Sequence, residues 1–333
     1  MFKPGIWRRG DLFRAETWFG RSRLPAYTLL GRGSPADEAD LRCFEKVIAG
    51  VELASGVYRT TYRARFAGLN EFVEPRIRQS FALERPLNVH DWAVSDGLTS
   101  MEWAASLRRV FPALMFTASD FLFQLIEASD NGREVYVLEP SGAVVQYINP
   151  PFVLPMAHEE SRVYVLNRWL KLWARRKLME LKEAMGSISP DMWTGAMPLK
   201  RGKWTFRPLP LVHPEVQTFA LENVWFRLRQ HDAFTSWPEP CEVLRTMNLY
   251  NRGYFSEQEL VRGIRAAIDS VVPGGLWIVG RTQETGRQSE HHATVFRRHL
   301  ASLEVVDRLG RGSEIEDLAT ALGALLPASL PVR

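Results

Sequence analysis

The chain has 333 residues, a hydrophobic fraction of 46% and a formal net charge of +4. That is enough for one large domain or two ordinary ones, and the mild positive balance permits an anionic partner without demanding one. Cys43 and Cys241 lie far apart and form no Cys-x-x-Cys metal or redox pattern, so a reduced, cytoplasmic setting is expected.

The N-terminus lacks the apolar run of a signal peptide, and no stretch is long and apolar enough for a membrane-spanning helix. Residues 1–35, rich in Arg, Trp, Gly and Pro, read as an extended arm packed through Trp7, Phe13 and Trp18. From Ala36 to Ala54, Leu41, Phe44, Val47, Ile48 and Val51 recur at helical spacing. Tyr58 to Phe81 is expected to form further helices or a short strand. Residues 1–84 are thus an arm and helical preface to a domain over 85–333.

Leu87 to Asp91 is a strand ending in an acid. The turn that follows carries small residues at Ala93, Ser95 and Gly97. Thr99 and Glu102 then have capping-box spacing before Trp103, Ala104 and Leu107. Strand, small-residue turn and helix make a ligand site at the carboxyl edge of an open α/β sheet. The turn resembles motif I of the class I S-adenosylmethionine-dependent methyltransferases, an acid followed by glycines at every second position. Ala-x-Ser-x-Gly is similar to the variant in chemotaxis-receptor methyltransferases. The resemblance assigns Asp91, Ala93, Ser95 and Gly97 to the cofactor. A nicotinamide dinucleotide is the rival ligand, but its Gly-x-Gly-x-x-Gly fingerprint is absent. Asp91 and Asp96 would also repel its diphosphate.

Ala113 to Asp120 reads as a second parallel strand ending in an acid. Two readings of Asp120 stand side by side. It caps the next helix, or, as the resemblance implies, it accepts both ribose hydroxyls of the cofactor, with Phe121 beside the adenine.

Residues 133–215 are read as an α+β insertion forming a substrate or cover subdomain. Glu134 to Ile148 looks like a hairpin turned at Pro140-Ser141-Gly142, followed by a Pro-rich connector from Asn149 to Pro155. A helix is expected from Arg162 to Met185. Val163, Leu166, Leu170, Trp173, Ala174, Leu181 and Met185 share one face, and Arg168, Lys171, Arg175 and Lys182 the other. Such a helix is a solvated helix packed on its domain, a cover over the site, a dimer contact or an element lying on an anionic membrane surface. Residues 186–215, with Trp193, Trp204 and Phe206, read as a long irregular connection. His213 reads as a lone surface or hydrogen-bonded histidine.

Val216 to Phe219 and Asn223 to Leu228 are strand candidates. His231 to Phe234 resembles the family's third acidic loop, which implies that Asp232 meets the adenine amino group. Glu242 to Asn251 is a fourth parallel strand and its exit. Asn248-Leu249 with Tyr254-Phe255 resembles the segment that lies at the methyl-transfer site of chemotaxis-type and related small-molecule methyltransferases, which implies that Asn248 contacts the cofactor. Ser256 and Glu259 form a second capping-box pattern, before Leu260, Ile264, Ala267 and Ile268. Val272-Pro-Gly-Gly looks like the entry to the superfamily's fifth strand. Ala293 to Arg298 and Leu303 to Leu309 alternate as an antiparallel pair; in the family, strand seven inserts between five and six. Ser313 and Glu316 open a final helix through Leu325.

The expected fold is α/β, a Rossmann-like seven-stranded methyltransferase sheet with a C-terminal antiparallel hairpin. The expected activity is S-adenosylmethionine-dependent methyl transfer to a small-molecule or lipid-like acceptor. The alternative is a methyltransferase-like scaffold that has lost catalysis. No specific nucleic-acid binding is expected. No His, Asp and Glu cluster has metal-ligand spacing, and His291-His292 falls in an expected loop. Cys241 precedes the fourth strand, which disfavours a cysteine nucleophile of the cytosine-C5 type.

Overall fold

The computed structural model describes residues 61–130, 134–149, 152–156, 165–186, 198–285 and 288–325, with isolated positions before residue 61. Of the arm it describes β1 (Ile6–Trp7) and β2 (Leu24–Pro25), paired in parallel. The packing expected of Phe13 and Trp18 lies outside the described residues. Leu41, Phe44, Glu45 and Ile48 are helical, as the periodicity requires.

The chain continues with α1 (Ala67–Ser80), β3 (Leu87–Trp92), α2 (Leu98–Arg108) and β4 (Leu114–Asp120). Next come β5 (Gln124–Asp130), β6 (Glu134–Leu138), β7 (Val144–Asn149), β8 (Phe152–Pro155), α3 (Val165–Gly186), β9 (Leu199–Arg201) and β10 (Trp204–Pro210). The last stretch holds α4 (Pro214–Glu222), β11 (Phe226–Gln230), β12 (Cys241–Met247), α5 (Glu257–Asp269), β13 (Val271–Thr285), β14 (Gln288–Arg298), β15 (Leu303–Leu309) and α6 (Glu316–Gly323). Two compact units result: residues 62–121 with 218–333, and residues 1–61 with 122–217. The second unit takes in β5, which pairs with β6 and β10, so its sheet starts before residue 133.

The first unit is built on a seven-stranded sheet of order β11-β4-β3-β12-β13-β14-β15. Its first five strands are parallel, and β14 runs antiparallel to both β13 and β15. This is a Rossmann-like α/β sheet closed by the expected hairpin. Side chains alternate between its faces. Trp92, Leu244 and Trp277 pack with Leu260 and Ile264 of α5 and Ala319 of α6. On the opposite face Trp103 of α2 meets Phe116 of β4 edge-on, at 5.5 Å between ring centres.

The strand order corrects one expectation. β14 lies directly beside β13, and β15 takes the edge, so the last strand is not inserted between its predecessors. The reason is the connection. β13 turns straight into β14 through a ladder from Leu276↔Arg297 to Thr285↔Gln288, with no helix to carry the chain to the far edge. The Pro-Gly-Gly entry makes an irregularity: the β12–β13 register shifts between Cys241 and Val243. A Cβ at Gly275 would stand 2.9 Å from the Glu242 carbonyl oxygen, so the crowded bend requires glycine.

The second unit is an antiparallel sheet of order β8-β7-β6-β5-β10-β9. α3 buries Ala174 and Leu181 among Ile126, Ala128, Tyr136 and Phe206. The other sheet face meets Phe44 and Ile48. Trp173, expected on the apolar face, is 51% exposed because its indole N–H reaches Glu134 at 3.0 Å. Side chains of Leu166, Arg168, Leu170 and Lys171 lie outside the described residues.

Several strand and loop expectations are corrected. The connector at 149–155 contains β8, and the irregular stretch at 186–215 contains β9 and β10. The prolines of β10 explain why it hides in the sequence. Leu211 donates to Phe123, so odd-numbered residues of this strand face β5. Pro208 and Pro210 face the other way, beyond the described β9 ladder that ends at Phe206, so neither occupies a donor place in the β5 ladder. Val216 to Phe219 is helical, since Pro214 and Glu215 suit the first turn of α4. His213 is buried against Phe44.

Candidate cofactor site at the carboxyl edge of the sheet

From β3 the chain steps to β4 and β11 on one side, then returns to β12 on the other. Strand order therefore reverses between β3 and β12. In open α/β sheets ligands bind outside the carboxyl ends of the strands at such a reversal. The turn at 93–97, the end of β4, the loop after β11 and the exit of β12 all lie on this edge.

The backbone there is unusual. Ala93, Ser95 and Gly97 have φ of 59°, 61° and 84°, and Asn248 has 58°. A left-handed conformation costs a residue with a side chain about 1–2 kcal/mol. Three of the four described non-glycine residues with positive φ stand on this edge, the fourth being Ala64. Strain of this kind persists where surrounding bonds over-determine it. Those bonds are present. Asp120 Oδ2 accepts the Ser95 N–H at 2.7 Å, and the Val94 N–H donates to the Ser119 carbonyl at 3.2 Å. Buried Asp96 accepts the Leu98 N–H at 3.0 Å, placing a carboxylate at the start of α2.

The capping box read at Thr99 and Glu102 does not form. α2 begins one residue before Thr99, with Gly97 as its N-cap. Glu102 instead accepts the Ala64 N–H through both carboxylate oxygens, at 3.1 and 3.0 Å. β5 follows β4, so the reading of Asp120 as a cap of a following helix also fails.

Asp91 lies deeper than the turn it precedes. It is 3% exposed and bound by Arg245 through Nε at 2.9 Å and Nη2 at 2.5 Å, with Ser100 Oγ donating at 2.6 Å. Arg245 is itself fully buried, donates to Asn70 at 2.9 Å and lies 4.1 Å above the Trp103 ring. Asp91 thus braces β3, β12 and α2 beneath the crevice. Sequence reasoning missed Arg245. Its signal was an arginine inside the apolar strand Cys241–Met247.

Phe121, at the end of β4, is 65% exposed. Beside it the His231 N–H donates to the Asp120 carbonyl at 2.9 Å. Asp232 is exposed and accepts the Phe234 N–H at 3.0 Å. Behind this loop, His231 lies 4.6 Å from both Trp92 and Trp237, and His90 lies 4.7 Å from Trp237, centre to centre. Burial, with His231 nearby, pushes the His90 pKa down to about 4, and burial also lowers that of His231. Both rings are neutral near pH 7.

Across the reversal, Asn248 Oδ1 accepts the Thr282 N–H at 2.6 Å. Thr282 Oγ1 lies 3.1 Å from His291 Nδ1. His291 belongs to β14, paired with Thr282, and not to a loop. Burial lowers its pKa, leaving a neutral imidazole beside the exit of β12. Cys241 is buried at the opposite, amino end of β12, and burial pushes its thiol pKa up. It is no nucleophile for this edge.

No protein-family model matches the chain, and no curated protein matches it. Similar solved structures include the sugar N-methyltransferase KedS8 from Streptoalloteichus, at 14% identity and a TM-score of 0.32 over 79% of this chain and 81% of that one. CalS10, an amino pentose methyltransferase from Micromonospora echinaspora, gives 9%, 0.30, 77% and 81% in the same order. A S-adenosylmethionine-dependent methyltransferase from Clostridium acetobutylicum gives 9%, 0.31, 76% and 77%. At such TM-scores these likenesses carry no argument beyond themselves, and the fold rests on the strand order described above.

Proposed function

We propose that the carboxyl edge between β3 and β12 binds S-adenosylmethionine and that the chain is a methyltransferase for a small-molecule or lipid-like acceptor. One observation carries the reading. Ala93, Ser95 and Gly97 hold a left-handed turn at the strand reversal, pinned by Asp120. Small residues there let a ligand approach the backbone closely. Asp96 in the turn and Asp120 beside it suit a cationic sulfonium and amine better than a diphosphate, while Arg245 meets the charge of Asp91. Asp120 would take the ribose, Phe121 and Asp232 would flank the adenine, and Ala93 to Gly97 would lie under the methionine end. Asp91 would act through the turn it braces.

The bound cofactor would supply an activated methyl group, so the protein's part is largely positioning. Asn248, Thr282 and His291 would face the acceptor. A neutral His291 can accept a proton if the acceptor arrives protonated. The chain leaves the sheet at the carboxyl end of β4 for residues 122–217 and returns at α4.

Calorimetric titration with S-adenosylhomocysteine tests the reading. Asp120→Asn retains an acceptor oxygen for Ser95 but removes the charge. Loss of charge-assisted bonds worth about 1.5–3 kcal/mol should weaken binding about ten-fold or more. No binding by the native chain, or equal binding by the folded variant, would sink the assignment. The Cβ atoms of Ala93 and Ser95 favour a second reading, a scaffold without catalysis. Cofactor binding with no S-adenosylhomocysteine release across a panel of hydroxylated and amino acceptors would support it.

A further inference from the structure

The second unit carries a surface that its own core does not explain. α3 buries Ala174 and Leu181 against its sheet, yet Leu172 is 58% exposed and Met179 is 75% exposed. These two stand about two helical turns apart, on one stripe that also carries the exposed Arg176 and Glu183. Arg176 and Lys182 are exposed on the same helix. The turn between β9 and β10 runs beside it: Arg201, Gly202 and Lys203 line a shallow groove of about 310 Å³ with Glu180, Glu183 and Ala184. Lys203 pairs with Glu180 and lies 3.9 Å from Asp130. Arg176, Lys182, Lys200, Arg201 and Lys203 therefore outnumber the acids Asp130, Glu180 and Glu183.

Single exposed apolar side chains are common on a protein surface, but Leu172 and Met179 project together from among these cations. A nucleic-acid surface would use the cations and leave the apolar pair idle. An anionic bilayer uses both, the apolar side chains at the acyl boundary and the cations among the headgroups. Trp173, half exposed beside Leu172, suits the same boundary. We propose that α3 and the β9–β10 hairpin dock on an anionic phospholipid surface.

The test is co-sedimentation of the full chain with vesicles of phosphatidylcholine alone and of phosphatidylcholine with phosphatidylserine. The native chain should pellet with the anionic vesicles at low salt, lose them at high salt and ignore the neutral ones. Reversing three charges together, Arg176→Glu, Lys182→Glu and Arg201→Glu, should weaken binding about a hundred-fold or more. Leu172→Gln with Met179→Gln, which leaves the charge intact, should weaken it about ten-fold. Failure of the native chain to bind at low salt overturns the proposal. So does a glutamine variant that binds vesicles like the native chain while both bind duplex DNA equally, since that marks a general polyanion site. S-adenosylhomocysteine affinity, measured on the same proteins, reports on the methyltransferase reading separately.

Discussion

α2 and α5 both start from a strand exit on the same sheet, and both carry Ser or Thr followed three residues later by Glu. α5 realises the pattern. Ser256 Oγ accepts the Glu259 N–H, and the Glu259 carboxylate accepts the Ser256 N–H at 2.8 Å. α2 does not. Apart from Asp96 on Leu98, its start is held from outside, by Asp91 on Ser100, by Asp120 on Ser95 in the turn before it and by Ala64 on Glu102. A helix start that satisfies itself leaves nothing for a ligand. A helix start held from below and beside keeps its backbone strained and small-sided toward the crevice.

Breaking the external bracing should give the largest effect. Arg245→Gln leaves the buried Asp91 carboxylate without its cation, and loss of one partner of a buried pair costs about 3–5 kcal/mol. Urea denaturation should show that loss. Asp91→Asn added to Arg245→Gln should recover part of it. If Arg245→Gln alone costs no more than an exposed substitution, the pair does not brace α2.

Breaking the self-contained cap should cost less. Ser256→Ala should lose about 1 kcal/mol of stability with unchanged S-adenosylhomocysteine affinity. A matching loss of affinity would show that the two helix starts are not separate in function.

The smallest effect has the opposite sign. Ser95→Gly relieves a left-handed side chain but frees the unfolded backbone, so the net gain should be about 0.5–1 kcal/mol. Thermal unfolding measures it. Destabilisation by Ser95→Gly would mean that the serine side chain, and not the turn's shape, is what the site keeps.

The order of elements in the sheet unit was legible because each motif is local. An acid closing an apolar strand, small residues in a turn, Ser-x-x-Glu before an apolar helix face and Pro-Gly-Gly before a strand each act within a few residues. The same locality explains the failures. The Thr99–Glu102 spacing says nothing of the Ala64 N–H that claims Glu102 from 38 residues away. The prolines of β10 look like a broken chain until the register shows that neither points its nitrogen at β5.

By itself the sequence determined which segments are strands and helices where hydrophobic period and capping agree, and it placed an acid, a small-residue turn and a second acid at the ends of adjacent strands. Tertiary structure alone decided three things. It paired Asp91 with Arg245 across 154 residues. It set β14 beside β13 through a direct turn. It brought Thr282 and His291 to Asn248 at the strand exit. Each depends on register, and a shift of one residue moves every side chain of a strand to the other face. Register is a property of paired strands, so no single segment of the chain contains it.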